Sequence, residues 1–187
     1  MKNLFLLLIL AHSVSAGIAQ SRKQAKANGI KTTTEYMVVT EDGKEVTYKE
    51  AFLAFDKNGN TIEDTQYNRD GSIRKKRTAK YDGAGNLLEE YEYNPEKKLD
   101  RKMTWKYNSE GDKTEEQEFD GKGKLLRKDV INYNTRGEKI SEMQYDGNGK
   151  LLKKMVYTYD KNGLRIERKV YNADNVLESV KKYNYAK

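Results

Sequence analysis

The sequence predicts an all-β protein, an antiparallel β-meander of about a dozen strands. An aromatic residue followed by Asn or Asp recurs every 12 or 14 residues from Phe55 to Tyr183. Gly stands four residues after most of these aromatics, and β-branched, aromatic and long-chain residues follow it. A repeat this regular fixes the architecture, and turns this short require successive strands to pair antiparallel.

Residues 145–159 show the content of one unit, YDGNGKLLKKMVYTY. Its Asp-Gly-Asn-Gly segment is typical of a turn, because Gly adopts a positive φ and Asp and Asn bond their own backbone. The rest favours a strand of roughly six to nine residues. Apolar residues make up only 36% of the chain, against a usual ~45–50%. This shortage favours a single-layer or curled sheet over two packed layers.

The chain before the repeats falls into two segments. Residues 1–19 have the basic residue, apolar run and small residues of a signal peptide, with cleavage after Ala16 or Ala19. Residues 20–50 are predicted to form a polar segment and a capping hairpin, and residues 51–187 the repeat domain. The chain has no Cys, so it uses no disulfide and carries no lipid on a Cys.

The even spacing predicts that the repeated aromatics share one face of the sheet, since side chains alternate along a strand. Aromatic rings with Lys or Arg nearby can stack on sugars or hold a protein partner. We therefore predict a candidate binding face on the aromatic side, and an alternative in which these rings are the sheet's own core. The candidate residues are Tyr91, Trp105, Tyr107, Tyr157 and Tyr159.

Charge alternates between the predicted strands. The longer strands are basic, as in DRKMTWK from Asp100, and the shorter ones are acidic, as in KTEEQE from Lys113. Opposite charges on facing strands stabilise by ~0.2–1 kcal/mol a pair, so the pattern specifies which strands are neighbours. It fades after Tyr159, where Arg165 and Arg168 follow another basic strand.

The segments Tyr81–Leu87, Tyr145–Leu151 and Tyr157–Gly163 resemble the YD repeats of Rhs-type proteins, over roughly residues 51–187. Asn replaces the family's Asp in about half of the units, and the Leu after the Gly is absent at Lys113, Lys139 and Arg165. The resemblance implies a short secreted β-repeat protein without a toxin domain. Members of the family enclose a cargo or act in adhesion and carbohydrate binding. Hairpin repeats of the MORN type are a looser likeness.

Residue types leave little room for catalysis. The only His, His12, lies in the predicted signal peptide, so serine, cysteine and ordinary zinc chemistry are excluded from the mature chain. Glu89-Glu90 and Glu115-Glu116 are adjacent acids, which point to opposite faces of a strand and so cannot act as a catalytic pair. We expect no enzyme activity, no metal site and no cofactor.

The sequence thus favours a non-enzymatic interaction module, secreted, periplasmic or on the cell surface, that binds a protein or a polysaccharide. The alternative is a structural spacer or coat protein with no specific ligand. Removal of residues 1–19 leaves 35 basic and 29 acidic residues, a net charge of +6. Because the charges are interspersed, we expect no nucleic-acid partner. No stretch after the signal peptide is apolar enough to cross a membrane, so we expect no stable membrane insertion after signal cleavage. The oligomeric state is left open.

Overall fold

The computed structural model describes residues 25–186, of which residues 25–28 are helical and most of the rest are β-strand. The strands are β1 (Thr32–Glu41), β2 (Lys44–Phe55), β3 (Thr61–Tyr67), β4 (Ile73–Tyr81), β5 (Leu87–Tyr93), β6 (Leu99–Tyr107), β7 (Lys113–Asp120), β8 (Leu125–Tyr133), β9 (Lys139–Asp146), β10 (Leu151–Tyr159), β11 (Arg165–Asn172) and β12 (Leu177–Lys182). The predicted signal peptide lies outside the described residues.

The twelve strands form one open, uncurled sheet in the order in which they occur in the chain. Every neighbouring pair is antiparallel. The predicted all-β meander of about a dozen strands is therefore confirmed, in its single-layer form. No helix within residues 25–186 has the length and apolar character that a membrane crossing requires.

The repeated turn explains the aromatic-Asx-x-x-Gly spacing. In the β9–β10 turn the N–H of Gly149 donates to Asp146 O over 3.1 Å, and the N–H of Lys150 donates to Asp146 Oδ1 over 2.9 Å. Gly149 has φ 85°, a conformation that glycine adopts without a steric penalty. Asn108 Oδ1 accepts the same bond from Asp112 N–H over 2.8 Å. Since Asn and Asp offer the same acceptor, Asn can replace the family's Asp.

A β-bulge interrupts each strand pairing. In β6–β7 Lys106 pairs with Glu115 but Tyr107 pairs with Lys113, so Thr114 is an extra residue. An extra residue breaks the simple alternation of side chains along one strand. The faces must therefore be followed through paired residues and not by counting along the chain.

Paired residues show that the aromatics do not share one face, so the prediction from even spacing was wrong. Tyr91 pairs with Lys102, and Lys102 lies three residues from Trp105 on a regular part of β6. Tyr91 and Trp105 are thus on opposite faces, which we call the Tyr91 face and the Trp105 face. The physical reason is the bulge, which reverses the parity once in every hairpin.

The repeated aromatics form two rows, each with a period of 26 residues, at opposite ends of the strands. One row lies on the Trp105 face at the ends of the even-numbered strands. We call it the tyrosine row, and its members are Tyr81, Tyr107, Tyr133, Tyr159 and, just after β12, Tyr185. The other row lies on the Tyr91 face at the ends of the odd-numbered strands. We call it the opposite row, and its members are Tyr67, Tyr93, Phe119, Tyr145 and Tyr171.

The limited burial in this sheet is concentrated on the Trp105 face. The buried apolar strand residues are Ala51, Phe55, Ile131, Tyr157 and Val170. Strand pairing places all five on the Trp105 face. This face is therefore the drier one, although no second layer within residues 25–186 covers it.

Cross-strand ion pairs confirm the predicted charge alternation. Glu115 on β7 bonds Lys106 on β6 and Lys128 on β8, each over 2.8 Å. Glu89 on β5 is held in the same way by Lys80 on β4 and Lys102 on β6. Exposed pairs of this kind add little stability, so their main effect is to favour the observed neighbours.

Candidate functional site

The tyrosine row is fixed to the sheet by its hydroxyl groups. The Oη of each tyrosine donates to the backbone carbonyl of the residue 20 positions earlier in the chain. The acceptors and distances are Thr61 O at 3.1 Å for Tyr81, Leu87 O at 2.9 Å for Tyr107, Lys113 O at 2.9 Å for Tyr133, Lys139 O at 2.8 Å for Tyr159 and Arg165 O at 2.8 Å for Tyr185.

These bonds determine how the rings lie. Tyr107 ends β6, and its acceptor Leu87 begins the neighbouring strand β5, so the ring leans across the sheet instead of standing away from it. Successive tyrosines of the row lie two strands apart, which corresponds to about 9.5 Å. The result is a line of fixed aromatic rings along one end of the Trp105 face, of which the first four are half-buried and Tyr185 is exposed.

A basic side chain accompanies three members of the tyrosine row. Tyr107 pairs with Lys113, Tyr133 with Lys139 and Tyr159 with Arg165. The opposite row instead pairs with apolar residues, as Tyr93 does with Leu99. The three positions at which a basic residue replaces the Leu of the repeat thus all lie on one face, beside the tyrosines.

Trp105 lies in the middle of the sheet next to an acidic residue. Its Nε1 donates to Glu116 Oε2 over 3.0 Å, and Lys113 Nζ donates to the same oxygen over 2.6 Å. Arg127 Nη2 bonds Glu116 Oε1 over 3.1 Å. Partial burial opposes ionisation of Glu116, but the bonds from Lys113 and Trp105 outweigh it, so the pKa of this carboxyl is lowered.

A second acid faces Glu116 on the next strand. Asp129 pairs with Glu116 and is only 6% exposed. Burial raises the pKa of Asp129, and the Glu116 charge acts in the same direction. Arg127 Nε lies 3.5 Å from Asp129 Oδ2 and bridges the two carboxyl groups. Trp105 therefore belongs to a polar, hydrogen-bonded cluster and not to an apolar patch.

Tyr157 is enclosed by charged groups on the same face. It is 8% exposed, and its Oη donates to Glu142 Oε2 over 3.2 Å. Arg165 Cζ lies 4.6 Å from the ring centroid of Tyr157 and Lys139 Nζ lies 5.1 Å from it. Burial, together with Glu142, raises the pKa of Tyr157 to about 12.

Tyr91 lies on the opposite face and belongs to a different cluster. Lys80 Nζ and Lys102 Nζ lie 5.4 Å and 5.2 Å from its ring centroid. Its Oη donates to Glu89 Oε2 over 2.7 Å. The hydrogen bonds from Lys80 and Tyr91 lower the pKa of Glu89 to about 2.

The five predicted site residues are therefore only partly brought together. Trp105, Tyr107, Tyr157 and Tyr159 share a face, whereas Tyr91 does not, and buried Tyr157 offers little surface to a ligand. Sequence reasoning missed Tyr81, Tyr133 and Tyr185, which belong to the same row as Tyr107 and Tyr159. The sequence does contain the signal for Tyr81 and Tyr133, because alternate spacings of 12 and 14 define two interleaved series with a 26-residue period, whereas Tyr185 lies two residues after the last repeated aromatic, Tyr183.

The described residues show no grouping of acids that would hold a metal ion. Glu89 pairs with Thr104 and Glu90 with Met103, so these two neighbours point to opposite faces. Burial raises the pKa of Glu90, whereas Glu89 is ionised in its ion pairs. The geometry of the site is that of a rigid surface with aromatic, cationic and anionic groups in repeating order.

No protein-family model matches the chain, and no curated protein matches it. Among solved structures, a porin-like protein from Bacteroides uniformis is 14% identical with a TM-score of 0.38, and the match covers 75% of this chain and 54% of that one. The Photorhabdus luminescens Tc holotoxin pore, which contains TccC3, is 13% identical with a TM-score of 0.27, over 81% of this chain and 11% of that one.

A Bacteroides fragilis protein of unknown function is 19% identical with a TM-score of 0.21, and the match covers 84% of this chain and 96% of that one. This chain thus spans about half of the porin-like protein and a small part of the toxin. All three likenesses are weak.

Proposed function

We propose that this protein is a secreted, non-enzymatic interaction module that binds an extended polysaccharide along the Trp105 face. The observation that supports this proposal is the tyrosine row. It places aromatic rings at regular intervals along one end of the strands, with their orientation fixed by bonds to the backbone.

Fixed rings suit the recognition of a polymer. Side chains that are already ordered lose little entropy when a ligand binds, and an aromatic ring offers an apolar surface to the flat side of a sugar. The two-strand interval of about 9.5 Å is comparable with the length of two sugar rings in an extended chain. The cations beside the rings, Lys113, Lys139 and Arg165, supply donors to sugar hydroxyl groups.

The surroundings favour a glycan over a protein partner. Protein interfaces concentrate apolar contact and exclude charge at their centre, whereas the centre of this face holds the ion-paired cluster of Trp105, Glu116 and Arg127. Secretion is part of the proposal and depends on residues 1–19, which lie outside the described residues.

Affinity electrophoresis against a panel of soluble polysaccharides, followed by calorimetry on the best ligand, tests this function. We expect Tyr133→Ala and Trp105→Ala to weaken binding about tenfold or more. Tyr93→Ala, which removes a ring from the opposite row, is the matched control and should bind as the unchanged protein does. Circular dichroism verifies that all three variants fold.

Absence of binding to every polysaccharide, or equal losses in the control, would contradict the proposal.

The second candidate is a structural spacer or coat element. It is favoured by the two outer strands, β1 and β12, each of which pairs on one side only within residues 25–186.

A further inference from the structure

The two outer strands of the sheet are complementary to each other. β1 contains Glu35 and Glu41 and no basic residue, whereas β12 contains Lys181 and Lys182 and one acid. All six residues of β12 are exposed, and most of β1 is exposed, including Tyr36 at 62% and Val38 at 54%. An outer strand presents a row of backbone donors and acceptors that another strand can pair with.

We propose that β1 of one copy of this chain pairs with β12 of the next, so that the protein assembles head to tail into one continuous sheet. The even number of strands permits this directly. β1 and β12 run in opposite directions, so β1 of a second copy placed beside β12 is antiparallel to it. A contact of this kind joins two different surfaces and, if it does not close into a ring, it grows into a filament.

Aligning the ends of the two outer strands gives a register for the contact. Tyr185 follows β12 at the position that Tyr159 has in β10, one period earlier. Asn184 therefore corresponds to Thr158, which pairs with Glu167 of the next strand. On the other side, Thr32 and Glu63 share a level because both pair with Ala54, just before the repeat aromatic Phe55.

Aligned ends therefore set Asn184 opposite Thr32 of the next copy. In that register Lys181 faces Glu35, and Val180 faces Tyr36. Lys181 pairs with Arg168 and Glu35 with Ala51, which places both charges on the Trp105 face. A continuous sheet requires this agreement, because a one-residue slip would put them on opposite faces.

The contact would complete the charge alternation that fails at the ends of the isolated chain. Arg168 and Lys181 are opposite each other, a like-charged arrangement that disfavours pairing. Within residues 25–186 neither of them forms an ion pair, and neither does Glu35. In the proposed contact the acid of β1 follows the basic pair, as an acidic strand follows a basic one elsewhere in the sheet.

Self-pairing of identical edges is less favourable. Two copies of β1 would bring only acidic charges together, and two copies of β12 would bring together strands with a basic excess. Like charges on facing strands destabilise a sheet. The complementary contact is therefore favoured over either symmetric dimer.

Sedimentation velocity and electron microscopy over a range of protein concentrations test the assembly. We expect the unchanged chain to form a growing series of oligomers. Glu35→Lys and Lys181→Glu should each raise the concentration needed for half-assembly by about tenfold. Lys122→Glu, a charge reversal in the exposed β7–β8 turn, is the control and should leave assembly unchanged.

Mixing the two edge variants provides the decisive measurement. Each variant alone has clashing edges, but each can pair with the other at both of its edges, so an equimolar mixture should assemble again. The double variant in one chain should assemble as well. Both substitutions are at exposed positions, and circular dichroism checks that the variants are folded.

A chain that remains monomeric at every concentration, or edge variants that assemble as the unchanged chain does, would overturn the proposal. A dimer that does not grow and ignores Lys181→Glu would also overturn it, since that result indicates pairing of two β1 strands. The proposal depends on the outer strands alone and stands whether or not the Trp105 face binds a polysaccharide.

Discussion

The indole Nε1 of Trp105 donates a hydrogen bond to Glu116 Oε2 across the β6–β7 pairing, over 3.0 Å. This bond joins the only Trp of the chain to an acid that also binds Lys113 and Arg127. An acidic strand is thereby held to the basic strands on both of its sides at the centre of a single-layer sheet.

Replacement of Glu116 tests how much this cluster stabilises the sheet. Glu116→Ala leaves Trp105, Lys113 and Arg127 without their common acceptor, so we expect a loss of about 1–3 kcal/mol in the free energy of unfolding. Urea denaturation measures it. Glu110→Ala in an exposed turn is the control, and a similar loss in both variants would contradict the special role of Glu116.

The hydroxyl bonds of the tyrosine row make a separate contribution to stability. Tyr107→Phe keeps the ring and removes the bond to Leu87 O, so we expect a loss of about 0.5–1.5 kcal/mol. Tyr93→Phe in the opposite row is the matched control, because the described residues provide no hydroxyl partner for Tyr93. Equal unfolding midpoints for the two variants would show that the bond is energetically neutral.

Two glycines at the same place in their turns should respond differently to alanine. A Cβ added at Gly121 would lie 1.9 Å from the backbone oxygen of Leu99, whereas nothing lies within 4 Å of a Cβ added at Gly83. Neither glycine has a positive φ, so the contrast is steric. We expect Gly121→Ala to cost about 1–3 kcal/mol or more and Gly83→Ala to be close to neutral in thermal denaturation.

Acid should weaken the Tyr91 face through the loss of the Glu89 charge. The pKa of Glu89 is lowered from 4.5 to about 2 in the folded chain, so its stabilising effect is fully present above the unfolded value. That effect is lost as the pH falls from about 4.5 towards 2. Urea titrations at several pH values should show this slope, and Glu89→Gln should reduce it; an unchanged slope would point to other carboxyl groups.

The neighbouring acid should behave in the opposite way. Burial raises the pKa of Glu90, so its ionised form destabilises the folded chain at neutral pH. We expect Glu90→Gln to raise the unfolding midpoint at pH 7 and to have little effect in acid, where Glu90 is already protonated. A lower midpoint at pH 7 would show that the Glu90 charge is instead compensated by Arg77.

Much of the fold follows from local residues. In the turns, the Asp or Asn after the repeat aromatic accepts bonds from its own turn, and the Gly four residues after the aromatic, such as Gly149, supplies the positive φ, so turns and strands could be placed by counting. The alternating charges identify neighbours for the same reason, since Lys106 and Glu115 must face each other once the hairpin closes. These features depend on residues close together in the chain.

The site could be predicted only in part. The sequence selects Trp105, Tyr107 and Tyr159, which lie on the face that carries the tyrosine row. It also places Tyr91 on that face, whereas Tyr91 lies on the opposite one. The error arises from the extra residue in each hairpin, such as Thr114. A bulge changes the face of a side chain without changing the even spacing from which that face was inferred.

By itself, the sequence determined a meander of about a dozen short strands, because turn chemistry and strand chemistry alternate with a fixed short period. Only the tertiary structure decided which rings share a face and which residue receives each tyrosine hydroxyl group. The bond from Tyr107 to Leu87 O joins residues 20 positions apart, and it exists only once β5 and β6, with the bulge between them, are in register. Local preferences specify the strands, whereas the surface they form depends on how their backbones pair.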